Sequence, residues 1–288
     1  MLWRNSLPWN DRKGQFSPLK AITLALILLP GFWVAGKLAT GAMGAKPVEA
    51  ALHETGLWSV RLTLVTLAIT PLRVITGQNR LILIRRMLGV SALAYALVHF
   101  GFYLFDQKFD LWRVASEIVL RFYLTIGFVA LLGLIALGAT STDGMIRRMG
   151  AEAWNRLHRL VYPLAILGYW HGALQSKINA SEHVVMAGLF LALMGVRALN
   201  ARTIKKRLPM TPATLLGLAG LAMVATAGLE TLWYALATGI PAGRVFDANF
   251  MPDLMPRPAL VVGGIALALP AAALFTKWLP STRPARYS

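Results

Sequence analysis

Residues 156–172 read RLHRLVYPLAILGYWHG, an almost wholly apolar run bracketed by two of the chain's five histidines, His158 and His171. A third, His99, stands in another apolar stretch, ALAYALVHFGFY. Imidazoles among apolar groups are rare at membrane depth and usually face a bundle interior. There they either hydrogen-bond a neighbouring helix or hold something. Two neutral imidazoles brought to one level from two helices can take the two axial positions of a haem iron, because the porphyrin supplies the other four ligands. Protein-bound zinc or copper needs more than two ligands, and no Asp, Glu or Cys accompanies His99 and His171 at their level. The chain has no cysteine, which removes disulfides, thiol chemistry and iron–sulfur clusters.

The elements that must position these side chains follow from composition. The chain has 288 residues, 57% hydrophobic and only 14% charged, with a mean hydropathy of +0.58. Soluble domains carry about 25% charged residues. Several uncharged stretches approach or exceed the roughly 17–25 residues needed to cross hydrocarbon. The expected class is an all-α integral membrane protein. A membrane barrel would alternate apolar and polar residues over about ten positions, and no such alternation occurs.

Eight apolar segments stand out, at 19–40, 53–74, 84–105, 118–140, 153–175, 183–200, 212–238 and 259–279. The net charge of +17 would suggest nucleic acid in a soluble chain. Here the basic residues sit between apolar runs, so membrane topology accounts for them and no nucleic-acid partner is expected. Most of the 29 Lys and Arg fall in both termini and the even-numbered connections. The positive-inside rule then puts both termini in the cytoplasm. The first segment follows a basic start and precedes TGAMGA, as a signal peptide would. Its apolar run of about twenty residues exceeds the usual 7–15 of a cleaved signal, so an uncleaved first span is expected.

Depth relates the histidines. At 1.5 Å per residue, His99 lies about 20 Å from the inner edge of the third span, and His171 about 25 Å into the fifth. His158 lies only about 6 Å in by the same rise. An inner haem on His158 would want a partner on the third span, where Arg85 and Arg86 stand; arginine has no lone pair to give. One bis-histidine site is therefore legible, and a second inner cofactor would need an unusual ligand or a shared histidine. On an ideal helix His158 and His171 are about 140° apart, although Pro163 between them can kink it. His53 and His183 fall at outer span ends, where a solvated or interfacial histidine is expected.

Arg61 and Arg121 lie in the outer half with His99 and His171. Haem propionates need cationic partners, and a guanidinium binds a carboxylate with two bonds; the bland alternative is snorkelling to the interface. Glu117 can pair with either arginine. The stretches RRMLG (85–89) and RRMGAEAWNRLHR (147–159) form basic loops beside His158, suited to lipid head groups or to the phosphate of a flavin mononucleotide. Three regions are expected: an N-terminal cytoplasmic segment, 1–18; a six-helix haem-binding core, 19–204; and a two-helix extension of unknown role, 205–288. The linker ARTIKKRLPMT, 201–211, joins the last two. All five histidines precede it.

The segments GLWSVRLTLVTLAITPLR, RRMLGVSALAYALVHFGFY, RFYLTIGFVALLGLIALGATS and WNRLHRLVYPLAILGYWH resemble the haem-binding membrane subunits of bacterial periplasmic methionine sulfoxide reductase systems, within the wider ferric-reductase-like transmembrane group. The resemblance covers about residues 20–200. It implies an inner-membrane electron-transfer subunit with b-type haem and flavin mononucleotide (FMN), and His99, His158 and His171 as the family histidines. It implies electrons drawn from the quinone pool or a cytosolic flavin reductase and delivered to a periplasmic molybdopterin subunit, which reduces methionine sulfoxide in oxidised periplasmic proteins. The chain itself would carry no catalytic residue for that reaction. No glycine-rich dinucleotide fingerprint follows the spans, so an outside electron donor is expected. The extension has no assigned role in the resemblance. Two rival readings stand beside it: a haem-free membrane transporter or assembly factor, in which the histidines relay protons or pack, and a stand-alone ferric or quinone reductase.

Overall fold

A computed structural model describes residues 7–11, 13–176, 179–205, 210–251 and 256–275. Arg4, Arg12, Lys177, Lys206, Arg207, Lys277, Arg283 and Arg286, and the end of the expected eighth span, lie outside the described residues. Thirteen α-helices are described: α1 (Pro18–Ala39), α2 (Pro47–Thr76), α3 (Ile82–Asp106), α4 (Leu111–Leu120), α5 (Phe122–Ala139), α6 (Asp143–Met149), α7 (Ala151–His158), α8 (Val161–Gln175), α9 (Ser181–Ile204), α10 (Pro212–Thr238), α11 (Ala242–Ala248), α12 (Pro258–Ala266) and α13 (Ala268–Phe275). Among the described residues the only β pairing is a bridge between Asn10 and Phe16. Among the described residues, seven helical stretches are long and apolar enough to cross a membrane: 18–39, 47–76, 79–106, 122–139, 181–204, 212–238 and 258–275. The protein is a multi-pass helical membrane protein.

The expected fifth span, 153–175, is not one helix. It divides into α7 and α8, with Arg159 and Leu160 between them. The cause is Pro163, which offers no N–H to the Arg159 carbonyl and whose ring crowds it. His158 and His171 therefore sit on different helices, and the phase argument for a single straight helix does not apply. At 15 residues, α8 is about 22 Å long, shorter than the roughly 30 Å hydrocarbon layer. The fourth span also starts later than expected. Residues 111–120 form the separate amphipathic helix α4, and Arg121, in extended backbone, joins it to α5.

The chain forms two compact units, Met1–Thr66 with Leu83–His171 and Leu67–Ile82 with Gly172–Ser288. In the first, α2, α3, α5 and α8 close a ring. The Ser59 hydroxyl on α2 donates to the Ala92 carbonyl on α3 (2.8 Å). Leu93 of α3 packs on Gly138 of α5, Leu164 of α8 on Gly133 of α5, and Val60 of α2 beside Gly168 of α8. Small residues let membrane helices approach closely where lipid removes the hydrophobic drive. The buried hydroxyls of Thr55 and Thr63 return to carbonyls of their own helix, which satisfies them without water. α1 is tied on by Tyr95, whose hydroxyl donates to the Ile27 carbonyl (2.7 Å) beside Pro30 and Gly31.

In the second unit α9 packs against both α10 and α12. Gly188 faces Thr226 and Val262, Gly195 faces Leu218, and Gly263 faces Met223. Pro71 leaves the Leu67 carbonyl without its helical donor, and Arg197 supplies one at 2.7 Å. An unpaired buried carbonyl costs about 1–3 kcal/mol, so a proline in α2 and an arginine in α9 are one feature read from two places. Glu230 is fully buried and takes bonds from Asn249 (2.5 Å) and Arg257 (3.4 Å).

Candidate functional site

α3 and α8 are opposite members of the four-helix ring, and each sends one imidazole inward. The rings of His99 and His171 stand with centroids 6.2 Å apart and planes at 80°. Each is fixed by the helix beside it. Nδ1 of His99 lies 2.8 Å from the Leu52 carbonyl on α2, and Nδ1 of His171 lies 2.8 Å from the Tyr123 carbonyl on α5. A carbonyl only accepts, so both Nδ1 atoms carry the proton. Both Nε2 atoms then hold a lone pair.

Such a pair of nitrogens would suit the two axial positions of a haem iron. An imidazole nitrogen sits about 2.0–2.1 Å from a first-row metal, and about 1.1 Å from its own ring centroid, so two imidazoles in line on one iron have centroids about 6.2–6.4 Å apart. The observed spacing fits. A backbone carbonyl on the far nitrogen is the usual device that fixes the tautomer and orientation of a metal-binding histidine. Among the described residues no group of three or more His, Asp or Glu gathers as a metal site, so two imidazoles are all that a metal would find here. A haem needs no more.

The surroundings hold a further fit. Tyr103 lies one turn beyond His99 on α3. Its hydroxyl is buried without a hydrogen-bond partner among the described residues, and its electrostatic neighbours are Glu117, Tyr123, Arg121 and Arg113. A propionate reaching this end would meet that hydroxyl. Arg121 is exposed; it pairs with Glu117 and donates to the Tyr123 hydroxyl at 3.2 Å. Arg61 is half-buried on α2, its guanidinium 4.8 Å from the Trp58 ring. The structure gathers Arg121 with the aromatic and acidic groups of this end, and leaves Arg61 stacked on its own helix.

His158 is elsewhere, at the α6–α7 end. Its Nδ1 is 3.1 Å from the Trp154 carbonyl, its Nε2 is 3.2 Å from the Ser141 hydroxyl, and its ring stacks on Trp154 at 3.7 Å. Trp154 is held in turn by the Thr140 carbonyl (2.9 Å), and Arg86 pairs with Asp143 (2.5 Å). His183 is half-buried rather than solvated: Nδ1 lies 3.0 Å from the Ser176 hydroxyl, and Nε2 is pressed against Gly172. His53 is exposed, nearly two turns inside α2.

Sequence reasoning misses the carbonyls of Leu52 and Tyr123, which have no side-chain signal. It also misses Gly56 and Gly127, which lie against the two rings. Their signal is faint: a glycine inside an apolar helical run has a reason to be there.

Residues 55–169 match the family described as ferric reductase like transmembrane component. That stretch contains His99 and His158 and stops two residues short of His171. Three relatives each carry the name protein-methionine-sulfoxide reductase heme-binding subunit MsrQ. The protein from Xanthomonas campestris pv. campestris strain 8004 is 44% identical over 201 residues, covering 67% of this chain and 92% of the relative. That from Xanthomonas oryzae pv. oryzae strain MAFF 311018 is 43% identical over 198 residues, 67% and 90%. That from Rhodospirillum rubrum is 41% identical over 192 residues, 66% and 90%. No solved structure matches the chain.

Proposed function

The chain belongs to the MsrQ family of heme-binding subunits, and from that premise we propose that it is a membrane electron-transfer subunit with one b-type haem between His99 and His171. The observation that carries this reading is the pair itself: two rings 6.2 Å apart, each with Nδ1 tied to a carbonyl and Nε2 free to bind. Bound there, a haem supplies one-electron chemistry by cycling its iron between two oxidation states. The protein's share is to fix both imidazoles, keep water out and set charge at the edges. Tyr103, Arg121 and Arg61 are the groups available to the propionates.

In this reading the four-helix ring is the haem-binding core. The inner membrane is its location, both termini face the cytoplasm, and the His99–His171 end is the outer one. Electrons enter at the inner end, from quinone or a cytosolic flavin reductase, and leave on the periplasmic side to a molybdopterin catalytic subunit that repairs methionine sulfoxide. His158, Arg85 and the basic loops around α6 and α7 form the entry end, where FMN or a second redox group is held. Residues 205–288 are an extension without a part in this transfer.

Replacing each histidine in purified chain, followed by a pyridine haemochrome count, tests the assignment. His99→Ala and His171→Ala lose most of the haem, and normal haem content in both contradicts it. Flavin analysis of the same samples tests the FMN site. Deleting the gene of the periplasmic partner and following electron flow separates this function from that of a stand-alone reductase.

A further inference from the structure

The two imidazoles share a feature that the ligand assignment does not require. A Cβ added to Gly56 would lie 2.7 Å from Nδ1 and 3.0 Å from Cε1 of His99; one added to Gly127 would lie 2.7 Å from Cε1 and 2.8 Å from Nδ1 of His171. In each case the carbonyl that takes the Nδ1 proton belongs to the residue four before the glycine, Leu52 before Gly56 and Tyr123 before Gly127. The same device appears on both sides of the ring. A glycine bares one turn of helix backbone, an imidazole from the neighbouring helix lies into the gap, and its Nδ1 reaches the carbonyl at the foot of that turn.

We infer that Gly56 and Gly127 are positioning residues for the two axial histidines, setting the orientation of each imidazole plane and the strength of its Nδ1 bond. The inference rests on the haem reading above and deepens it. A methyl group at either site cannot be absorbed by the far end of a flexible chain, since the atoms it meets belong to a ring pinned at Nδ1. The ring must swing, and swinging lengthens the bond to the carbonyl. His183 sets off the pattern. It too lies on a glycine, Gly172, but there Nε2 is the atom pressed against the backbone and Nδ1 meets a side-chain hydroxyl. That arrangement buries the ligating nitrogen instead of presenting it.

Two measurements on full-length purified chain test this. The first compares Gly56→Ala and Gly127→Ala with two controls: Gly101→Ala on α3, where a Cβ meets nothing within 4 Å, and Gly133→Ala on α5, where it meets the Leu164 side chain and no histidine. Disturbing an orienting partner of a metal-binding histidine typically costs about 10–100-fold in affinity. Gly56→Ala and Gly127→Ala are expected to lose haem on that scale, or to retain it with a shifted midpoint potential and altered low-spin EPR g values. Gly101→Ala keeps the parent's content and spectrum, and Gly133→Ala keeps the parent's g values. Parent-like potential and g values in both Gly56→Ala and Gly127→Ala overturn the inference while leaving the haem reading intact; a parent that takes up no haem overturns both.

The second measurement needs no haem. It is a melting cycle on apo-protein that pairs Gly127→Ala with His171→Ala, and Gly56→Ala with His99→Ala, since residues in contact show non-additive effects. The glycine substitution is expected to lower Tm when the histidine is present and to do far less when it is absent. If Gly127→Ala alone fails to fold while the double variant folds, the coupling is shown in its strongest form. Equal losses in both backgrounds, or a double variant that fails where His171→Ala folds, would refute it.

Discussion

The two ends of the four-helix ring handle histidine in opposite ways. At the end proposed above as the outer one, His99 and His171 each spend Nδ1 on a carbonyl of a neighbouring helix and keep Nε2 unspent. At the end proposed as the inner one, His158 has a carbonyl at Nδ1 and a hydroxyl at Nε2, and its ring is covered by Trp154. The Ser141 hydroxyl that meets Nε2 also reaches the Leu137 carbonyl at 2.7 Å, so the inner histidine belongs to a local network. The contrast shows that a histidine's residue type and depth leave its role open; what decides it is where the second nitrogen goes. The outer pair is built to present lone pairs to something between the helices. The inner histidine is built to tie α7 to the start of the α6 connection, and it binds a cofactor only by giving up Ser141.

The contrast can be broken most decisively by removing the ligands. His99→Ala and His171→Ala should each lower bound haem at least about tenfold, while His158→Ala leaves the outer haem in place and slows electron entry. If all three lose haem equally, the two ends do not differ as described. A smaller effect comes from Ser141→Ala, which frees Nε2 of His158. Outer haem content and spectrum should not change, and any redox group at the inner end should bind His158 more tightly; a changed outer spectrum would mean that the two ends are one site.

Tyr103→Phe sharpens the outer end further. Its hydroxyl is buried without a partner among the described residues, and a hydrogen bond to a charged group is worth about 1.5–3 kcal/mol. The variant should hold haem about tenfold more weakly if the hydroxyl meets a propionate, and should hold it equally well, with a higher Tm, if it does not. The least effect is expected from Arg121→Gln. That side chain is exposed and already paired with Glu117, and surface pairs contribute little. Tm should hardly move, and a shift in haem midpoint potential at low salt that fades at high salt would identify a propionate contact.

Much of the fold was readable because a membrane restricts the alternatives. The long apolar helices α1, α2, α3, α5, α9 and α10 appear close to where hydropathy puts them. The break between α7 and α8 was signalled by Pro163, but a proline marks a kink more reliably than it says which residues fall on which side. Arg121 was expected near the start of the fourth span; that it separates α4 from α5 depends on α4 having its own apolar face, with Leu111, Trp112 and Val119 exposed. The site was half legible. His99 and His171 could be brought together by counting residues along two spans that run in the same direction. The carbonyls of Leu52 and Tyr123 could not, since backbone acceptors look alike in every sequence, and Gly56 and Gly127 gain meaning only when a ring is seen lying on each of them.

In the proposed site the imidazoles of His99 and His171, whose planes stand at 80°, would both bind one haem iron. Perpendicular axial planes leave two of the iron's π-type d orbitals nearly degenerate, which makes the low-spin ferric signal highly anisotropic. EPR of the oxidised, haem-loaded chain reads this directly. The account predicts such a low-spin signal in the parent, absent from both His99→Ala and His171→Ala and unchanged in His158→Ala. A signal that survives both outer substitutions, or that disappears only with His158, would contradict it.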